Sequence, residues 1–373
     1  MLKLGLFDGD SREHRHEADG KNLKMVRVGL VGIGFMGWIH YLAYQRSQAA
    51  RLIGFTSRDP KKLSGDWTGI QGNFGPPGEQ IDMGGLRTWD SLKKMVCDPD
   101  IDVIDICLPP FMHLEATLLA LKNGKHVFCE KPFALKSSDC QKMLDAAKAA
   151  DRQVMVAHVL PFMGPFAYAT QLVQNQTYGR AIGGYFKRVI SNPTWIPDFY
   201  DPQRVGGPMI DLHVHDTHWI EMLFGSPIEV TAVGTQSGDV AKYAQVVYRF
   251  ENPEIAVSST SGVVEAPGRP FTHGFELHLE KAMLQFEFAA YSDGAETVPL
   301  RVLTHDGQVI HPDLEASDDI AAFAAEIDEM AECIRDNRAS KILDGRLAAK
   351  AISIAEAIQR SVLSRQPSMI EVV

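Results

Sequence analysis

Apolar and polar positions follow two successive patterns along this chain of 373 residues. The first opens with the strand-type run Val26-Arg27-Val28-Gly29-Leu30-Val31, which breaks into Gly32-Ile33-Gly34-Phe35-Met36-Gly37 and restarts with helical spacing from Phe35 to about Ala50. A second strand, Leu52–Thr56, stops at Ser57-Arg58-Asp59-Pro60. Residues 65–85 hold Gly65, Gly69, Gly72, Gly75, Pro76, Pro77, Gly78, Gly84 and Gly85 with no helical period, where a crossover helix is expected. Alternation then resumes: a helix around Asp90–Val96, strand Val103–Leu108 ended by Pro109-Pro110, helix His113–Asn123 ended by Gly124, strand His126–Cys129, helix Ser137–Ala150 and strand Gln153–His158.

Beyond about residue 160 the pattern changes. A helix near Phe162–Gln176, a strand around Ile182–Ile190 and a Pro- and aromatic-rich loop Ser191–Gly207 precede a helix over Pro208–Phe224. Strand-type runs then follow one another without helices, at Ile228–Val233, Tyr243–Phe250, Ile255–Ser261, Phe275–Leu279 and Met283–Phe288; helices Ser317–Arg335 and Arg346–Ser364 close the chain. Strands alternating with helices predict an α/β fold with a doubly wound parallel sheet, and strands in series predict a second, α+β domain with a mixed or antiparallel open sheet. The expected division is a polar extension over 1–24, a first domain over 25–158 and a second over 159–373, with the C-terminal helices available to pack back on the first.

Composition narrows the classes. The chain is 45% hydrophobic and 23% charged with a formal net charge of -10, an ordinary globular balance with no basic stripe for nucleic acid. No apolar run reaches the roughly 18 residues of a membrane span, and no signal-peptide core is evident. Cys97, Cys107, Cys129, Cys140 and Cys333 are scattered without a C-x-x-C pair, which fits thiols in a reducing compartment and a cytoplasmic protein. The extension carries His14 and His16 in a polar, aperiodic stretch, read as a solvated arm rather than a metal site.

The glycine string carries the first chemistry. After a buried strand and before a helix, Gly32 makes the turn, Gly34 lets a pyrophosphate approach the backbone at Phe35 and Met36, and Gly37 lets the helix lie close to the strand. The helix N-terminus presents its free N–H groups to that anion. About 20 residues further on, where an acidic side chain would serve an adenosine ribose, stand Ser57 and Arg58. A hydroxyl beside a guanidinium suits a 2′-phosphate, so NADP is the preferred cofactor; NAD, with Asp59 serving the ribose, is the alternative.

Two further places carry candidate chemistry. Lys131 follows a parallel strand at the carboxyl edge where open α/β sheets bind ligands, and a lysine there suits proton exchange with a substrate hydroxyl. On a regular helix at about 100° per residue, His215 falls about 40° to one side of Asp211 and His218 about 20° to the other, so the three share one face while His213 points away. Asp and His one turn apart suit an acid/base relay. With His213 turned away, a single metal site using all three histidines is awkward; Asp211, His215 and His218 could still chelate, but no metal is expected. Trp195 and Arg204, in the loop Ser191–Gly207, are candidates to stack on or bind a substrate, and His218 is a third.

With these residues in place the chain resembles the glucose-fructose oxidoreductase and inositol dehydrogenase family, Gfo/Idh/MocA. The segments that carry the likeness are Gly32–Gly37, Asp105-Ile106-Cys107-Leu108-Pro109-Pro110-Phe111-Met112-His113, Gly124-Lys125-His126-Val127-Phe128-Cys129-Glu130-Lys131-Pro132 and Gly206–His215. The resemblance implies a Rossmann domain, a second domain whose open sheet mediates homodimers or homotetramers, and hydride transfer between a nicotinamide and a carbinol carbon of a sugar, polyol or related cyclic compound. By position, Lys131 would contact the reacting hydroxyl, His215 would be the acid/base and Asp211 its support, with Leu108, Pro109, His113 and Glu130 lining the cofactor cleft. Other functions on this scaffold are a glycoside-cleaving or lyase enzyme that retains NAD and oxidises a sugar transiently, and a nucleotide-binding sensor that would have no use for the acid/base set. Two departures stand out: Val159-Leu160-Pro161-Phe162 replaces a common Asn-x-Arg-aromatic turn, and His218 replaces a common aspartate.

Overall fold

The computed structural model describes residues 24–314 and 318–371; the extension with His14 and His16 lies outside them. The first half runs β1 (Val26–Val31), α1 (Phe35–Tyr44), β2 (Ala50–Thr56), α2 (Pro60–Leu63), β3 (Arg87–Trp89), α3 (Leu92–Met95), β4 (Val103–Ile106), α4 (His113–Lys122), β5 (His126–Glu130), α5 (Ser137–Ala150) and β6 (Val154–Ala157). These strands form one parallel sheet in the order β3-β2-β1-β4-β5-β6. Strand order reverses between β1 and β4, so a crevice forms at their carboxyl ends, where α1 begins. Helices cover both faces, and β4 and β6 are therefore buried along their whole length.

The second half contains α6 (Gly164–Gln174), β7 (Ala181–Ile190), α7 (Gly207–Asp211), α8 (Val214–Phe224), β8 (Glu229–Ser237), β9 (Val240–Arg249), β10 (Ala256–Val263), β11 (Phe271–Leu279), β12 (Ala282–Tyr291), β13 (Gly294–Thr304), β14 (Val309–Ile310), α9 (Asp319–Arg335), α10 (Gly345–Ser364) and β15 (Ser368–Met369). Its sheet has nine strands in the order β14-β13-β12-β11-β7-β10-β9-β8-β15. Among the described residues of this sheet only β7 and β10 pair in parallel. One face packs on α6, α8 and α10 through Phe166, Phe186, Trp219, Phe275, Ile354 and Ile358. Alternation sends Val233 and Val247 to the other face, where they are 66% and 61% exposed. Helix α9 returns to the first half and shares a core with α1 through Ile39, Ile320, Phe323 and Ile327.

Three local readings change. The helix expected over Pro208–Phe224 is two helices, α7 and α8, because the N–H groups of both Leu212 and His213 bond to the Pro208 carbonyl and widen the turn. Strands β3, β13, β14 and β15 lie outside the expected set; β13 exposes its first six residues and so carries no alternation to read. The Gly/Pro-rich stretch 65–85, which stands where a crossover helix is expected, is a packed segment. Trp67 is buried, the Trp38 Nε1–H donates to the Pro76 carbonyl at 2.8 Å, and Phe74 sits between the rings of Phe35 and Phe323. This segment seals the outer side of α1 against α9.

Candidate active site

The glycine turn shows three different demands. Gly32 lies at φ 98°, in the left-handed region that favours glycine, and a Cβ there would come within 2.4 Å of the Cys107 carbonyl oxygen. At Gly37 a Cβ would sit 2.2 Å from the Gly32 carbonyl oxygen. Gly34 has neither constraint: its backbone is extended, and a Cβ would meet nothing within 4 Å. The open space above Gly34, beside the first free N–H groups of α1, fits an approaching pyrophosphate. Phe35 and Met36 open this helix, with their side chains partly buried against the core beside it and the Phe35 ring edge-on to Phe74 of the 65–85 segment.

At the end of β2, Ser57 is half-buried and Arg58 exposed, and Arg58 makes no ion pair among the described residues. Asp59 caps α2 by accepting from the Lys61 N–H at 2.9 Å, and Ser57 Oγ accepts from the Asp59 N–H at 3.1 Å. On the other side of the crevice, Leu108 and Pro109 follow β4. The buried His113 ring ties that turn to the next strand end: Nε2 lies 2.7 Å from the Leu108 carbonyl and Nδ1 2.8 Å from the Pro132 carbonyl. Burial lowers the pKa of this imidazole.

Lys131 stands at the carboxyl end of β5 and reaches across to α7. Its Nζ donates to the Asp211 carbonyl at 2.8 Å and lies 3.2 Å from Asp211 Oδ1. Asp211 therefore pairs with Lys131 rather than with His215, and the Asp–His pair made in this region is Asp216 with His213, at 3.4 Å. The broken helix explains this: the 40° separation of Asp211 from His215 holds only on an uninterrupted α-helix. Asp216 also takes the Arg188 guanidinium at 2.9 and 3.1 Å in a buried ion pair.

His215 and His218 do share a face, and that face meets His158, which follows β6. The His158 and His218 rings stack at 4.0 Å and 3°, and the His215 ring stands edge-on to His158 at 6.2 Å. His218 is fully buried and its Nε2–H donates to the Ile342 carbonyl at 3.0 Å, so its expected role as a substrate contact is corrected to one of packing behind His215. Burial lowers the pKa of His218 to about 4. Burial, then the charges of Lys131 and Arg188 and the neighbouring rings, holds His215 well below the ordinary histidine value, so it is a neutral base at pH 7. His158 was missed in the sequence; its signal was a polar residue closing an apolar strand at the ligand-binding edge.

Of the expected substrate residues, Trp195 is 58% exposed on the loop before α7. Arg204 lies with its guanidinium 4.4 Å above the Phe111 ring and pairs with Asp198 at 2.9 Å, bridging that loop to the turn after β4. Glu130 turns inward, away from the crevice, to His40 and to its neighbour's N–H. A cavity lined by Arg27, Tyr41, Arg51, Asp82 and Arg87 lies at the amino ends of β1 and β2, opposite the edge that binds ligands. His40, Asp105 and Cys107 bring potential metal ligands together. Carboxylates already take both His40 nitrogens, however, and burial raises the Cys107 thiol far above its ordinary value, away from the thiolate a metal needs.

A doubly wound parallel sheet with a glycine turn at its switch point, a lysine at a neighbouring strand end and a second open-sheet domain supplying Asp211 and His215 define a dinucleotide-binding oxidoreductase scaffold. The chain belongs to the Gfo/Idh/MocA family: residues 26–158 match its oxidoreductase model with an NAD-binding Rossmann fold, and residues 166–285 match a C-terminal domain of the same family. It is similar to inositol 2-dehydrogenase of Rhizobium meliloti, 24% identical over 351 residues, covering 91% of this chain and 98% of the relative. A 28% identical match to 2,7-anhydro-N-acetylneuraminate hydratase of Escherichia coli covers 56% of this chain and 53% of the relative, about half its length. The fold superposes on levoglucosan dehydrogenase in complex with NADH and levoglucosan with a TM-score of 0.75, at 20% identity, over 93% of this chain and 100% of that one. Among the described residues no helix is long and apolar enough to cross a membrane.

Proposed function

We propose that this protein is a nicotinamide-dependent dehydrogenase or reductase that moves a hydride between the cofactor and a carbinol carbon of a sugar, polyol or related cyclic compound. The observation that carries the reading is Lys131 Nζ at the crevice of the NAD-binding fold, 3.2 Å from Asp211 Oδ1, with the neutral His215 beside it. Gly32, Gly34, Gly37 and the start of α1 would hold the pyrophosphate, and Leu108, Pro109 and His113 would line the nicotinamide end of the cleft. Bound there, the nicotinamide supplies the hydride acceptor or donor. Lys131 orients the substrate hydroxyl, His215 takes its proton in the oxidation direction, and Asp211 fixes the Lys131 ammonium.

NADP is the preferred cofactor in this reading, supported by the exposed Arg58 beside Ser57, which makes no ion pair among the described residues, and by the engagement of Asp59 in capping α2. Trp195 and Arg204 border the substrate space. The apolar positions Val233, Val247 and Tyr185 on the uncovered sheet face support self-association as a homodimer or homotetramer. The free cysteines fit a cytoplasmic setting.

The test is titration of purified protein with NADH and NADPH separately, then absorbance at the reduced-nicotinamide band with sugars, inositols and sugar acids added. Substrate-dependent conversion with tighter NADPH binding supports both statements. Tightly retained NAD, no net absorbance change and a modified substrate would move the protein to the transient-oxidation class.

A further inference from the structure

A second polar cluster lies beneath the site, inside the parallel sheet. His40, on the second turn of α1, is fully buried, with Nδ1 2.8 Å from Asp105 Oδ2 on β4 and Nε2 3.1 Å from Glu130 Oε1 on β5. Tyr44, one turn further along α1, donates its hydroxyl to the same Asp105 oxygen at 2.8 Å. The other Glu130 oxygen accepts the backbone N–H of Lys131 at 2.9 Å. The rings of Phe128 and Phe323 close the site.

Donor and acceptor counting favours a doubly protonated ring. Where both carboxylates are ionised each only accepts, so the histidine between them satisfies both bonds only by donating from both nitrogens; a neutral ring would need one carboxyl protonated and donating to it. The remaining titratable neighbours agree. Glu326, on α9, is fully buried with no partner for either oxygen, and burial together with the Glu130 and Asp105 charges raises its pKa, leaving it neutral. Burial raises the Cys107 thiol and leaves it neutral too. Burial alone would lower the His40 pKa, but the charge and hydrogen bond of Asp105, with the adjacent Cys107, raise it well above the ordinary value.

We infer that His40 is a permanently charged imidazolium that acts as a positioning residue, tying the helix that binds the pyrophosphate to Glu130 and so holding the backbone of Lys131. The connection is covalently short: the glycine turn begins α1, His40 projects from the same helix, and Glu130 is the residue before Lys131. A shift of α1 relative to β5 moves the Lys131 ammonium with respect to the cofactor seated on α1. Misplacing a reacting group by about 1 Å costs on the order of 10²-fold in turnover.

The turnover part of this inference rests on the proposed dehydrogenase reading; the charge state does not. In protein labelled with 15N-histidine, with His40 assigned by comparison with His40→Gln, both His40 nitrogens should carry protons at pH 9. A neutral tautomer there overturns the inference whatever the enzyme's activity. With a substrate in hand, His40→Phe should lower kcat by on the order of 10²-fold while the Kd for reduced cofactor stays near that of the wild type. His40→Gln, which keeps one donor, should recover part of the loss. Equal kcat in both variants and wild type, or a loss confined to melting temperature, removes the positioning role. If His40→Phe does not fold, His40→Gln and the nitrogen spectra still decide.

Discussion

Gly34→Ala separates the space a ligand needs from the space the fold needs. Gly34 lies at φ -117°, ψ -157°, a conformation alanine adopts freely, and its added Cβ meets no protein atom within 4 Å. Two small effects on stability oppose each other. Alanine is a poorer N-cap than glycine for α1 by about 0.5–1 kcal/mol, and it restricts the unfolded chain by about 0.4–1 kcal/mol in the other direction. The net change is within about 0.5 kcal/mol, so Tm should move by no more than about 2 °C. Cofactor binding should change much more, because the methyl group occupies the place where the pyrophosphate meets the helix. Losing two hydrogen bonds to a charged group, at about 1.5 kcal/mol each, weakens Kd by on the order of 10²-fold. The comparison variant is Gly37→Ala, whose Cβ falls 2.2 Å from the Gly32 carbonyl oxygen. Displacing α1 costs about 1–3 kcal/mol, so this variant loses stability as well as binding. The assays are fluorescence titration with NADH and NADPH and a thermal melt of each variant. Wild-type affinity in Gly34→Ala would refute the placement of the pyrophosphate, and a collapse of its Tm would refute the claim that the space above Gly34 lies outside the packing.

Four other outcomes follow from the same geometry. Lys131→Ala should lower kcat by on the order of 10²-fold or more while dinucleotide affinity changes little; unchanged turnover takes Lys131 out of the mechanism. Because burial and the Lys131 charge hold His215 well below the usual histidine value, kcat/KM for alcohol oxidation should remain flat from pH 8 down past 6.5. An acid limb centred at 6.5 and abolished in His215→Gln contradicts that environment. The folded-state pKa values of His158, His215 and His218 all lie below the unfolded value of about 6.5. Below that pH the unfolded chain binds more protons, so these groups remove stability as pH falls from about 6.5 towards 4, each by up to about 1.4 kcal/mol per pH unit. Melts at pH 7.5, 6 and 5 should show it, and His218→Phe should flatten the decline. Arg188→Ala leaves the buried Asp216 carboxylate with His213, 3.4 Å away, in place of its guanidinium partner and should cost about 3–5 kcal/mol in urea unfolding; a loss under 1 kcal/mol shows that His213 or water compensates the charge.

Periodicity and short-range chemistry determined much of this molecule. The apolar run at Val26, the glycines at 32, 34 and 37 and the recurrence of strand and helix to His158 define a parallel sheet and its ligand edge, because each depends on residues close together in sequence. The same locality made Lys131 legible, since the end of a parallel strand faces the crevice wherever that strand lies in the sheet. The 65–85 stretch was less so: its glycines and prolines announce a turn-rich segment, but its packing depends on Phe323, some 250 residues away. What only the tertiary structure decided was pairing. Asp211 was matched with His215 by helical spacing, yet the turn widened at Pro208, and Lys131, 80 residues earlier, took the carboxylate. His218 looked available on a helix face until that face met His158 and the Ile342 carbonyl. His40, Asp105 and Glu130 stand at three separate points of the sequence with no spacing to link them, and it is the order of β1, β4 and β5 under α1 that makes them one hydrogen-bonded group. A side chain's partner is set by burial, where an unpaired polar group is costly, and burial is known only once the chain has closed on itself.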